Sequence, residues 1–81
     1  MPLFRFLMTE GGAQAELADA ELTSLDDAKA HAVELVAQHL SVASRSFWQD
    51  SDWRLDVMDD RGLVLASLTI VGFDTLASGR L

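Results

Sequence analysis

The chain has no cysteine and only one proline among its 81 residues. Without cysteine, neither a disulfide framework nor a cysteine-based zinc site is available to reinforce a small hydrophobic core. A domain of this length buries only about 60–65% of the surface that its unfolded chain exposes. Packing or oligomerisation must therefore supply the stability that many small domains gain from cross-links.

Basic residues are also scarce. Six Lys and Arg stand against thirteen Asp and Glu, which gives a formal net charge of −7 at pH 7. The basic residues are scattered singly along the chain and form no run. Because a net negative charge repels phosphate backbones and anionic lipid surfaces, we expect no binding to nucleic acid or membranes.

Long apolar runs are missing as well. The longest, Leu63 to Val71, contains Ser67 and Thr69 and falls well short of the ~20 residues needed to cross a bilayer. The apolar run near the N-terminus is interrupted by Arg5 and lacks the features of a signal peptide. We therefore expect a cytoplasmic protein.

The stretch from Trp53 to Ile70 predicts a β-hairpin with one apolar face. Its strands flank the turn Asp59-Asp60-Arg61-Gly62, and a register that pairs Met58 with Leu63 gathers apolar side chains on one side. That face consists of Trp53, Leu55, Val57, Val64, Ala66, Leu68 and Ile70. The same register leaves Met58, Leu63 and Leu65 on the other side of the sheet, where a small single-layer protein has little to cover them.

The N-terminal region predicts one clear strand and one ambiguous segment. Alternation over Leu3 to Met8 indicates a strand with one buried face. The pair Gly11-Gly12 suits a chain reversal, after which Ala13 to Leu17 is expected to return as a strand or an extended loop. The composition of Ala13 to Leu22 favours a helix instead, because it is rich in strong helix formers.

A long amphipathic helix follows. Ser24 is placed to cap it, and Asp26 and Asp27 fall in its first turn, where acidic residues are favourable. Apolar residues then recur with helical spacing. They are Leu25, Ala28, Ala32, Leu35, Val36, Leu40 and Ala43. The pattern predicts about five turns that fray near residues 44–46, followed by a loop over residues 50–52.

These elements predict an α+β fold with the order β-β-α-β-β. It comprises a small antiparallel sheet with one long amphipathic helix packed on one face. We expect residues 1–72 to form a single domain and residues 73–81 to form a short C-terminal tail, in which Asp74 is a candidate cap for one turn.

Several short blocks, in this order and spacing, resemble a known family. They are Met1-Pro2 with Phe4 and Phe6, Glu10-Gly11-Gly12, Leu22 with Leu25-Asp26 and Ala28-x-Ala30, and Trp53-Arg54-Leu55 with Val57, Asp59-Asp60 and Gly62. The family is a large group of short uncharacterised bacterial proteins, catalogued only as a domain of unknown function and common in alphaproteobacteria. The resemblance implies an α+β domain in which Ala13 to Leu17 is extended, and it supplies no activity, cofactor or catalytic residue.

The chain departs from the family at two places. Leu7 stands where members often carry histidine, and the region near Asp19 lacks a glycine that is usual there. No role of that histidine is carried over to this chain.

The spacing of the two histidines predicts neither a metal site nor a catalytic site. His31 and His39 are eight residues apart and about 80° apart around the helical wheel, so they form no i, i+4 metal pair. His39 is expected to be a partly buried structural residue, with a pH-sensitive interface as the alternative. An enzymatic role would need a cleft beside one of these histidines or beside the loop from Asp50 to Asp60.

The aspartates of the hairpin region are explained by turn and loop chemistry. They lack the ligand spacing and the terminal glutamate of a calcium loop. They are Asp50, Asp52, Asp56, Asp59 and Asp60. The sequence therefore predicts no enzyme, no cofactor and no metal.

The uncovered side of the predicted sheet favours a protein-interaction domain. We expect a homodimer or higher oligomer that buries the second sheet face or pairs an exposed strand edge. The candidate interface residues are Met58, Leu63, Leu65, Leu3 and Leu7. The tail is the alternative cover for this face, through Phe73 and Leu76.

The sequence also points to contacts with other proteins. Trp48 is a candidate contact for an unidentified protein, because tryptophan is enriched at interface hot spots, whereas Trp53 is expected in the core. The alternative function is that of an acidic regulatory partner, similar to an antitoxin domain, which masks a basic protein. A contiguous acidic surface would favour that alternative.

Overall fold

The chain folds into a four-stranded antiparallel sheet and one main helix in a computed structural model that describes residues 1–80. Leu81, the last residue of the predicted tail, lies outside the described residues. The strands are β1 (Leu3–Glu10), β2 (Ala13–Glu21), β3 (Asp52–Met58) and β4 (Val64–Val71). The helices are α1 (Leu25–Val42), the short α2 (Phe47–Asp50) and a 3-10 helix at Leu76–Arg80. The strand order in the sheet is β2-β1-β3-β4, and the predicted α+β fold is confirmed.

The ambiguous segment after the glycine pair is a strand. Gly11 and Gly12 have φ angles of +52° and +91°, a backbone that glycine adopts without strain. The segment then pairs with β1 along its whole length, up to the pair between Leu3 and Glu21. Tertiary pairing overrides the local helix propensity, and β2 continues four residues beyond the predicted Leu17.

Helix α1 confirms the predicted cap and apolar face. The Ser24 Oγ accepts the backbone N–H of Asp27 at 3.2 Å. Ala28, Ala32 and Val36 are buried, so the helix approaches the sheet through small side chains and packs on β3 and β4.

Helix α2 was not predicted, because four residues are too few for a periodic pattern. Phe47 anchors it, since this ring is buried and packs edge to face on Trp53 with a centroid distance of 5.1 Å.

The hairpin register differs from the predicted one. Met58 pairs with Val64 rather than with Leu63, and the register is irregular beside Val57. Asp59 causes the shift because its N–H donates to the Leu63 carbonyl oxygen at 3.0 Å and its Oδ1 accepts the Leu63 N–H at 2.9 Å. Val64 therefore leaves the apolar face and is exposed. The rest of that face is confirmed, with Trp53, Leu55 and Val57 buried and Ala66, Leu68 and Ile70 partly buried against them.

The tail leaves the sheet rather than folding back over it. Strands β1 and β4 have eight residues each and are about 27 Å long, and α1 is of similar length. The molecule measures 53 × 21 × 19 Å, so it is much longer than any of these elements. Phe73 is 77% exposed and Leu76 is fully exposed. The tail therefore does not cover the second sheet face in the single chain.

Candidate functional site

The two edge strands of the sheet differ sharply in charge. β2 carries Glu16, Asp19 and Glu21, whereas β4 has the sequence VLASLTIV and no charged residue. Both strands end the sheet and present one row of backbone groups without a strand partner. Charged side chains on an edge oppose pairing with another chain, and an uncharged apolar edge permits it. β2 is therefore the protected edge of the sheet, and β4 is its open edge.

The side chains of β4 increase this contrast. Val71 is 60% exposed and Leu65 is 38% exposed, and Val64 at the start of the strand is also exposed. Val64 and Val71 are not among the interface residues predicted from the sequence. The lack of charge in β4 was visible in the sequence, but its position at the edge depends on the order of the strands.

The sheet face opposite α1, here called the open face, is polar near its centre. Asp56 lies on interior strand β3 and is buried. Its Oδ1 accepts the hydroxyl of Ser67 at 2.6 Å and lies 3.3 Å from the Arg54 Nε. This buried carboxylate is therefore both hydrogen-bonded and ion-paired, which is how a buried charge is tolerated.

A second ionic cluster lies where β1 meets β2. The Arg5 Nε donates to the Glu16 Oε1 at 2.7 Å, and this contact lowers the pKa of Glu16 and raises that of Arg5. Desolvation and a hydrogen bond with Glu16 raise the pKa of Asp19. Because Arg5 neutralises one of its carboxylates, this edge is not a uniformly acidic surface.

The five predicted interface residues differ in exposure. Met58, expected on an uncovered side of the sheet, is only 7% exposed and lies between Arg5 of β1 and Val64 of β4. Leu7 lies on the other interior strand and is half-buried. Leu63 is 64% exposed, and Leu65 and Leu3 are also exposed. On β1, Leu3 and Leu7 flank Arg5, which pairs with Met58, and Met58 pairs with Val64 next to Leu65. A role of these residues in an interface stays a prediction.

His39 has a carboxylate partner that sequence reasoning did not identify. Its Nε2 lies 2.6 Å from the Glu10 Oε1, and its ring lies 5.2 Å from the Trp53 ring. A cavity of about 240 Å³ adjoins the pair between α1 and the β1–β2 hairpin. Its other walls are Met8, Ala13, Gln14, Ala15 and Leu17, which include no hydroxyl or thiol nucleophile. The pair therefore joins α1 to the hairpin.

Trp48 is more than half exposed, and the rest of its ring packs against Phe47 and Gly72. Its ring packs on Phe47 with a centroid distance of 5.7 Å, and a Cβ at Gly72 would lie only 2.7 Å from the Trp48 Cζ3. Trp53, by contrast, is buried in the core as predicted.

An apolar groove runs between α1 and the β3–β4 hairpin. It measures about 200 Å³, and its walls include Ala32, Val33, Ala66 and Leu68. The exposed Val33 side chain forms its rim on the helix. The groove is therefore continuous with the open β4 edge.

Within residues 1–80, no three His, Cys, Asp or Glu side chains converge as a metal-binding group. None of the helices in this part of the chain combines the length and the apolar character needed to span a bilayer.

Comparison with known proteins places the chain in a family. The family model described as Domain of unknown function (DUF6894) matches residues 3–71, from the first residue of β1 to the last residue of β4. The chain therefore belongs to this family, as the resemblance of its sequence blocks predicted. No curated protein and no solved structure matches the chain.

Proposed function

We propose that this member of the DUF6894 family is a non-enzymatic protein-interaction domain that self-associates by pairing β4 with β4 of a second copy. The observation that carries the proposal is an edge strand with no charged residue and with exposed Leu65 and Val71. Isolated edges of this kind tend to pair with other chains, and native proteins usually protect or cover them.

The strand is suited to antiparallel pairing about a two-fold axis perpendicular to the sheet. Such an axis places a middle residue of β4 opposite its own symmetry mate, and Leu68 is one of the two middle residues. Centring on Leu68 brings Val71 of one copy opposite Leu65 of the other. Leu65 and Val71 then each gain an apolar cross-strand partner, whereas Val64 falls opposite Gly72.

The groove beside α1 fits this arrangement. A two-fold axis perpendicular to the sheet keeps both helices on the same side, so the two grooves meet across the seam. Val33 on the rim of each groove is exposed in the single chain. Pairing would therefore also remove apolar helix surface from water, which is favourable.

Charge also favours this edge over the other. Two copies with a net charge of −7 repel each other, and repulsion rises as their charged groups approach. Joining β4 to β4 leaves Glu16, Asp19 and Glu21 of both copies at the outer edges of an eight-stranded sheet. Pairing through β2 would bring those carboxylates together.

The experiment that tests the proposal is light scattering coupled to size exclusion, over a range of protein concentrations. The native chain is expected to show twice its 8.8 kDa mass, whereas Leu65→Asp and Val71→Asp should be folded monomers by circular dichroism. A carboxylate at either position would face the partner strand across the seam.

The matched control is Val42→Asp, at a position that is 86% exposed near the end of α1 and outside β4. It should leave the native mass unchanged. A native chain that is monomeric at every concentration would contradict the proposal, and so would a control that is as disruptive as the β4 variants.

A further inference from the structure

We infer that the tail forms the outer part of the same interface, with Phe73 of one copy packed on Leu63 of the other. This inference rests on the proposed function, because only an antiparallel β4 pair brings the tail to that end of a partner. It adds a contact that lies beyond the strand itself.

The tail leaves the body from a fixed point. The N–H of Gly72 donates to the Ser51 carbonyl oxygen at 2.9 Å, so the residue after β4 remains tied to the loop before β3. The Trp48 ring occupies the space where a Cβ at Gly72 would lie. These two contacts at Gly72 therefore fix the direction in which the tail leaves β4.

The register places two exposed apolar residues opposite each other. With Leu68 on the two-fold axis, Phe73 of one copy lies opposite Leu63 of the other, two positions beyond the pair formed by Val71 and Leu65. Phe73 is 77% exposed and Leu63 is 64% exposed, and neither has an apolar cover in the single chain. The pairing would remove both from water.

Charges of both signs lie at the ends of this contact. Asp74 follows Phe73 in the tail, and Arg61 lies in the β3–β4 turn, close to the residue opposite Asp74. Asp60 is adjacent to Arg61, but Asp59 is engaged within its own turn through the N–H groups of Arg61 and Leu63. The turn therefore offers the tail one cation, Arg61, beside two carboxylates, so the contact depends on the apolar pair rather than on charge.

The area of the strand seam also calls for an additional contact. A strand about 27 Å long in a sheet about 10 Å thick presents roughly 270 Å² to a partner. Specific stable interfaces bury about 800 Å² on each partner. The tail and the groove are the apolar surfaces that adjoin the seam.

Disulfide trapping tests the inference. Because the chain has no native cysteine, only the introduced thiols can form a cross-link. Phe73→Cys is mixed with Leu63→Cys in a glutathione redox buffer, and Val71→Cys is mixed with Leu65→Cys in parallel. Directly opposed residues in an antiparallel pair lie within the Cα separation that a disulfide accepts. Val42→Cys mixed with Leu63→Cys is the control for collision between exposed thiols.

Both mixtures are expected to give at least ten times more cross-linked heterodimer than the control. A Val71–Leu65 cross-link without a Phe73–Leu63 cross-link would overturn the tail contact and leave the proposed function standing. Failure of both would overturn both. A Phe73–Leu63 cross-link alone would overturn the strand pairing and the inference built on it.

A second measurement avoids cysteine. Phe73→Ser lies outside every strand and helix, so it should fold as the native chain does. Its dimer dissociation constant, measured by sedimentation, is expected to rise at least tenfold. A dissociation constant equal to that of the native chain would overturn the inference.

Discussion

The Nε2 atom of His39 lies 2.6 Å from the Oε1 atom of Glu10 and so ties the last part of α1 to the end of β1. The two residues are 29 positions apart, and both side chains are about one-third exposed. The contact closes one side of the cavity between the helix and the β1–β2 hairpin.

The coupling between His39 and Glu10 can be measured with a double-mutant cycle. A hydrogen bond to a charged group is worth about 1.5–3 kcal/mol, and partial exposure reduces this to about 1 kcal/mol here. We expect His39→Ala and Glu10→Gln to show a coupling of that size in urea denaturation. Strictly additive effects would mean that the contact contributes nothing to stability.

Neutralising Glu16 and Asp19 should change stability in opposite directions. The lowered pKa of Glu16 means that its ionised form stabilises the fold, so Glu16→Gln should lose stability at pH 7. That loss should disappear as the pH falls through the pKa of Glu16 in the folded protein. The raised pKa of Asp19 means that its ionised form is disfavoured by folding, so Asp19→Asn should gain stability at pH 7.

The gain from Asp19→Asn should vanish below the pKa of Asp19 in the unfolded chain. Urea midpoints between pH 3 and pH 8 would test both variants under the same conditions. Equal signs for the two variants at pH 7 would refute this account of the cluster.

Leu55 should be among the most sensitive core positions. It is fully buried at the centre of interior strand β3, paired with Met8 on one side and Leu68 on the other. Leu55→Ala is expected to reduce the free energy of unfolding by about 2–5 kcal/mol, through lost burial and a residual cavity. Val42→Ala is the exposed control and should change it by less than about 0.5 kcal/mol in the same urea titration.

Removing the cap of α1 should have a smaller effect. Ser24→Ala deletes the acceptor of the Asp27 N–H and is expected to reduce the free energy of unfolding by about 1 kcal/mol. Ser41→Ala, at an exposed position inside the same helix, should instead be neutral or slightly stabilising because alanine has the higher helix propensity. A Ser24→Ala variant as stable as the native chain would show that the cap is dispensable.

Regular patterns made some elements readable from the sequence. Strand β1 alternates, α1 repeats apolar residues at helical spacing after Ser24, and the β3–β4 hairpin surrounds a turn rich in Asp and Gly. Each pattern lies within a short stretch of chain, so local geometry alone relates the residues to a face.

Other features depended on partners far away in the chain. Ala13–Glu21 has helix-forming residues but pairs with β1, and Phe47 is buried because Trp53 is nearby. Met58 was expected on an uncovered side of the sheet, and it is buried where it lies between Arg5 of β1 and Val64 of β4. Local propensity carries no information about these neighbours.

The features of the candidate site also fall into two groups, those readable from the sequence and those that depend on the tertiary structure. The sequence by itself determined that β4 is uncharged and apolar, that β2 is acidic, and that no cysteine is present. Only the tertiary structure decided that these two strands are the sheet edges and that His39 meets Glu10. Strand order is set by pairing between segments distant in sequence, and the free energy of that pairing comes from burial that no single segment encodes.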